Sequence, residues 1–292
     1  MRVAQWLLVL ALGLRVSAVY ADDADATYKQ GLAYKAEGKI DEAIAAFEQT
    51  VQHNPKHAYA WAALGNLYKQ KKNLAKSIDA YEHAVQFNPK DKVIWTNLGT
   101  AYANNNQIDK ALDALTKANA IDPKDPEILK FLGTVKRKKG DNDGAVKALE
   151  QAVKLKPDDD EAQHNLGVAY RYAKRLDDAV KALSEAIKLA PNNAQYHFDL
   201  AVVYRRKQDP DKAIPEYEKA TSLDPGNAEG WFDLGFMYKE NHENDKAIDA
   251  FNHYLSVSKD KGGKDRVNDE IKSMGGSPGK GKGDTKSPPP KK

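Results

Sequence analysis

Apolar residues recur along most of this chain at helical spacing, and they come in pairs of stretches. Trp61, Leu64 and Tyr68 share one face of a first stretch, and Ile78, Tyr81 and Val85 one face of a second. That three-to-four-residue period predicts amphipathic helices, here as antiparallel hairpins. Prolines close the pairs at Pro55, Pro89, Pro123, Pro157, Pro191 and Pro225, each 34 residues after the last. In the same frame glycine falls at Gly31, Gly65, Gly99, Gly133, Gly167 and Gly235, with Ala201 in the one missing place. Seven units fit, 24–57, 58–91, 92–125, 126–159, 160–193, 194–227 and 228–261, an array over about residues 24–259.

Glycine inside a helix costs about 1 kcal/mol against alanine, so its recurrence predicts a place where a neighbouring helix comes close. Asp41, Asp109, Asp143, Asp177, Asp211 and Asp245 fall where each second helix starts, where acidic groups suit the dipole and the unpaired amides. Pro215 lies early in a second helix and predicts a slight bend there. No unit can bury its apolar face alone, so stacking supplies stability and the last face needs a cap. Val267, Ile271 and Met274 predict that cap as a short helix over 262–274.

The run Trp61, Leu64, Gly65, Tyr68, Ser77, Tyr81, Ala84, Pro89 resembles the tetratricopeptide repeat. Departures fall at the ends: Thr27 and Gln30 in the first unit, Tyr254 and Lys259 in the last. The resemblance implies an all-α fold, a tetratricopeptide-repeat right-handed superhelical solenoid of antiparallel helix pairs. It also implies a concave groove, lined by the first helices, that holds a peptide.

Before the array, Arg2 and the apolar stretch from Val3 to Leu14 read as a secretory signal, too short for the roughly 20 residues of a spanning helix. Cleavage fits after Ala18 or after Ala21; acidic Asp22-Asp23 favours the second, giving a signal peptide over 1–21. The expected location is periplasmic or secreted, and an uncleaved anchor is the alternative. Residues 275–292 are built of Gly, Pro, Ser and Lys and read as a disordered basic tail, with Ser287-Pro288-Pro289-Pro290 a stiff polyproline stretch.

Composition then narrows the chemistry. Forty-five basic against forty-two acidic side chains leave +3, so nucleic acid is not an expected partner. With no cysteine there is no disulfide framework or thiolate chemistry. None of the seven histidines forms an HExxH pair, and no nucleophile elbow or phosphate-binding loop is present. The expectation is a non-catalytic protein with no cofactor and no metal.

Candidate binding residues lie on the first helices. Asn97, Asn165, Asp199 and Asp233 share one position, with Asn66, Thr100 and Thr134 one ridge away, and Asn104 and Tyr172 join the groove candidates. Side-chain amides can bond both peptide N–H and C=O, and the arrangement resembles part of the asparagine ladder of the O-linked N-acetylglucosamine transferase family. Lys35, Lys69, Arg137, Arg171, Arg205 and Lys239 share a second position. They suit acidic peptides or a free C-terminus, although their place in the last turn also satisfies the helix dipole. Lys130 and His164 suggest an anion site. Phe198, Val202, Phe232 and Phe236 predict an aromatic C-terminal half of the groove, or else burial beneath the cap. Together these predict a scaffold that binds protein or peptide segments and helps assemble an envelope complex. The alternatives are a periplasmic chaperone-like holder of client segments, or a cell-wall polymer binder whose basic tail contacts an anionic envelope surface.

Overall fold

The computed structural model describes residues 23–279, and every regular element among them is a helix. The signal-like segment 1–21 and residues 280–292 of the tail lie outside that range. Fifteen helices follow one another: α1 (23–36), α2 (Ile40–His53), α3 (Ala58–Gln70), α4 (Leu74–Phe87), α5 (Lys92–Asn104), α6 (Ile108–Ile121) and α7 (Pro126–Lys139), then α8 (Asn142–Leu155), α9 (Asp160–Tyr172), α10 (Leu176–Leu189), α11 (Ala194–Arg206), α12 (Pro210–Leu223), α13 (Ala228–Glu240), α14 (Asn244–Val257) and α15 (Lys261–Ser273). The described residues divide into two compact units, one ending at Asp141 with α1–α7 and one starting at Asn142 with α8–α15.

In the first unit α3 packs on α4 and α5 on α6, and the first helices α3, α5 and α7 touch in succession. In the second, α9 packs on α10, α11 on α12 and α13 on α14, and α15 closes against α14. Val267 and Ile271 of α15 are fully buried beside Phe251 and Tyr254. Helix α12 runs unbroken through Pro215.

The glycines are explained by contact. A Cβ on Gly65 would stand 2.7 Å from the Tyr81 ring, and one on Gly167 only 2.5 Å from Leu183 Cγ. Paired helices therefore approach at the glycine, and the partner's large side chain fills the space.

A second repeated device is a hydrogen bond closing five of the loops before a first helix; α7, with Leu129 at the donor position, lacks it. Trp61, Trp95 and Trp231 donate Nε1–H to the carbonyls of Pro55, Pro89 and Pro225. At two places without the tryptophan the donor survives: Gln163 Nε2 lies 3.3 Å from Pro157 O, and His197 Nε2 3.0 Å from Pro191 O. The N–H is kept at these two positions, whereas the same place on α7 holds the buried Leu129. Successive repeats are then tied by Tyr–Glu bonds, Tyr68 to Glu48, Tyr102 to Glu82, Tyr170 to Glu150 and Tyr238 to Glu218. Burial, with the adjacent carboxylate, pushes the Tyr68 and Tyr170 phenols up to about 12.

The first-turn aspartates do not cap amides as expected. Helices α2, α6 and α10 have Lys39, Gln107 and Arg175 at the N-cap, with no side-chain cap bond. Asp41, Asp109 and Asp177 instead pair with Lys71, Lys139 and Lys207 of the following repeat, while still suiting the dipole.

Candidate functional site

The candidate residues sit on the first helices, and their surroundings separate them into committed and uncommitted groups. In the first unit Asn66 is committed: its Oδ1 accepts from Tyr81 Oη at 2.8 Å and its Nδ2 donates to Ala62 O at 3.1 Å. Thr100 donates to Asn97 O and Thr134 to Lys130 O, each within its own helix. Lys130 is buried, 3.1 Å from the Glu127 carboxylate, so its charge is not presented to an outside anion. Arg137 lies half-buried in the basic last turn of α7. Lys69 and Asn97, both half-buried, and the exposed Asn104 carry no side-chain partner among the described residues.

In the second unit the acidic and basic positions neutralise one another. Arg205 Nη1 lies 2.7 Å from Asp233, and Arg171 Nη2 3.3 Å from Asp199. Lys239 repeats the pattern with Glu270 on α15. The expected stripe of free cations is thus corrected for Arg171, Arg205 and Lys239. His164 is committed too, with Nε2 2.9 Å from Asp199 and its ring stacked on Tyr196. Gln195 adds a third bond to Asp199 at 2.8 Å. Burial raises the Asp199 carboxyl, but the bonds from His164 and Gln195, with the Arg171 charge, prevail and hold it below its ordinary value. At Asp233 burial prevails over Arg205 and Tyr217, and the carboxyl is raised. Asn165 remains half-buried without a side-chain partner among the described residues, and Tyr172 is exposed beneath the Arg171 guanidinium.

The aromatic surface is corrected as well. Phe198 and Val202 are buried at 7% and 5% exposure. Phe232 and Phe236 are half-buried under Arg266 of α15, whose guanidinium lies 5.5 and 4.6 Å from their ring centres. Sequence reasoning missed Gln195, Tyr196 and Arg266. The available signal was the coincidence of Arg171 with Asp199 and of Arg205 with Asp233, each pair spaced alike.

A family model described as the cilia and flagella-associated protein 70 C-terminal domain matches residues 9–232, and a tetratricopeptide-repeat model matches residues 216–249. The chain belongs to the tetratricopeptide-repeat family. Its helix pairs resemble a tetratricopeptide-repeat protein from Parabacteroides merdae at TM-score 0.66, 14% identity, 87% of this chain and 99% of that one. They also resemble a chain of the APC/C Cut9–Hcn1 hetero-tetramer at TM-score 0.61, 25% identity and 76% of this chain; the match spans only 45% of that protein. A third likeness is YrrB, described as a tetratricopeptide protein with an unusual peptide-binding site, at TM-score 0.53, 23% identity, 63% of this chain and 95% of that one. No curated protein matches by sequence.

Tetratricopeptide-repeat folds serve as protein-interaction scaffolds, and this one has its uncommitted amides on the first helices. Among the described residues no group of three or more His, Cys, Asp or Glu could hold a metal, and no helix is long and apolar enough to cross a membrane.

Proposed function

We propose that this chain is a non-catalytic scaffold of the cell envelope, exported by its N-terminal signal. It holds an extended partner segment on the first-helix face of its N-terminal unit. The observation carrying this reading is the uncommitted set Lys69, Asn97 and Asn104 on adjoining helices α3 and α5. Asparagine amides bond peptide N–H and C=O alike, so they hold a backbone without reading its sequence, and Lys69 adds a preference for an acidic side chain. The described peptide site of the structurally similar YrrB supports a peptide as the occupant.

The test is recovery of partners from envelope extract by the chain from Asp22 onward, beside Asn97→Ala/Asn104→Ala and the control Lys181→Ala on the exposed face of α10. The proposal expects a stoichiometric partner lost only in the asparagine variant. Equal retention by all three chains would refute the face.

A further inference from the structure

The outer side of the last repeat carries a crevice that the proposed scaffold role does not use. It measures about 480 Å³ and lies between α12 and α14, with α13 as its floor. Trp231 and Pro225 form its apolar wall; at its rim stand Asp249 and Glu218, which already accepts from Tyr238, together with the Lys246 ammonium, itself paired with Glu243. The indole is stacked on His253 at 4.4 Å and fixed by its bond to Pro225 O, so the platform is rigid before anything binds. An aromatic wall with carboxylates beside it is complementary to proline followed by a cation.

This chain supplies such a segment. Residues 287–292 read SPPPKK, three prolines and two lysines. Its attachment point is on the page: Gly279 N–H donates to Asn252 Oδ1 at 2.8 Å, on the same helix α14 whose Asp249 and His253 line the crevice. Asn252 Nδ2 is buried with no partner among the described residues. An unpaired buried donor is costly, and a carbonyl of the chain continuing past Gly279 would satisfy it. Eight residues separate Gly279 from Pro288 and span up to about 26 Å, enough to cross a helix about 10 Å wide.

We propose that residues 287–292 of this same chain dock in the Trp231 crevice, with the prolines against the indole and Pro225 and the lysines facing Glu218 and Asp249. Tethering sets a high effective concentration, so a weak contact suffices. Trp61 and Trp95 line crevices of the same build in the first unit, at about 470 and 510 Å³, and serve as internal references.

The test is fluorine NMR of the full chain labelled with 5-fluorotryptophan, with the Trp231 signal assigned from Trp231→Phe. Two variants are compared with the parent: Pro288→Ala/Pro289→Ala/Pro290→Ala, and Lys291→Glu/Lys292→Glu. Both lie outside the helical array and leave its packing untouched. The expected result is a displaced Trp231 signal in both, unchanged Trp61 and Trp95 signals, and no change on hundredfold dilution. A Trp231 signal indifferent to the proline variant overturns the proposal. So does a displacement that fades on dilution, which would assign the contact to a second copy's tail.

Discussion

The Arg205 guanidinium meets the Asp233 carboxylate at 2.7 Å across 28 residues of sequence, from the end of one first helix to the middle of the next. Arg171 and Asp199 repeat the relationship one unit earlier. Two positions that look like separate binding stripes in the sequence are one internal lattice in the second unit. The first-helix face there is braced by charge, while the first unit keeps polar groups uncommitted.

The two carboxylates answer pH in opposite directions. Asp199 is lowered when folded, so it stabilises the chain above the ordinary carboxylate range, and that contribution is lost as pH falls through its lowered value. Asp233 is raised when folded, so it favours the fold in acid and that contribution is lost as pH rises through its raised value. Asp199→Asn is expected to cost about 3 kcal/mol at pH 7, as for a broken buried pair, with the deficit shrinking in acid. Asp233→Asn is expected to cost less at pH 7 because Arg205 is exposed enough to be solvated. Urea unfolding of both variants at pH 7 and near pH 3 checks the pair.

Gln163 keeps the loop bond that tryptophan makes elsewhere, and it is 8% exposed. Gln163→Glu preserves its shape but turns the donor into an acceptor facing Pro157 O. The expected cost is about 1–3 kcal/mol at pH 7, falling in acid as the new carboxyl regains a proton to donate. Equal stability at both pH values would show that the bond contributes nothing.

Each turn that follows a first helix carries one left-handed residue, at Gly38, Lys72, Asn106, Gly140, Lys174, Gln208 and His242. Nothing lies within 4 Å of a Cβ built on Gly140, so Gly140→Ala tests backbone strain alone. A left-handed non-glycine costs about 1–2 kcal/mol, offset in part by lost unfolded-state freedom. A net loss of about 1 kcal/mol is expected, with a smaller gain from Lys174→Gly. Thermal unfolding of the two variants reads both.

Much of this architecture was legible because each unit repeats its own instructions. The spacing of Trp61, Leu64 and Tyr68 marks a helix face, and Val267 with Ile271 marks the closing helix now seen buried against α14. The site was less legible. Whether Arg171 faces solvent or Asp199 depends on how one repeat stacks on the next, which a period of 34 does not state. Phe232 and Phe236 read as a binding surface because Arg266, which covers them, lies outside the repeat pattern.

Photo-crosslinking at single positions tests the central claim most directly, with benzoylphenylalanine placed at Asn104 on the first-helix face or at Lys181 on the second-helix face, in cells that express the chain. The account predicts a discrete cross-linked partner from Asn104, weakened by Asn97→Ala, and none from Lys181. A partner captured from Lys181 alone would contradict it and move the binding surface to the outer helices.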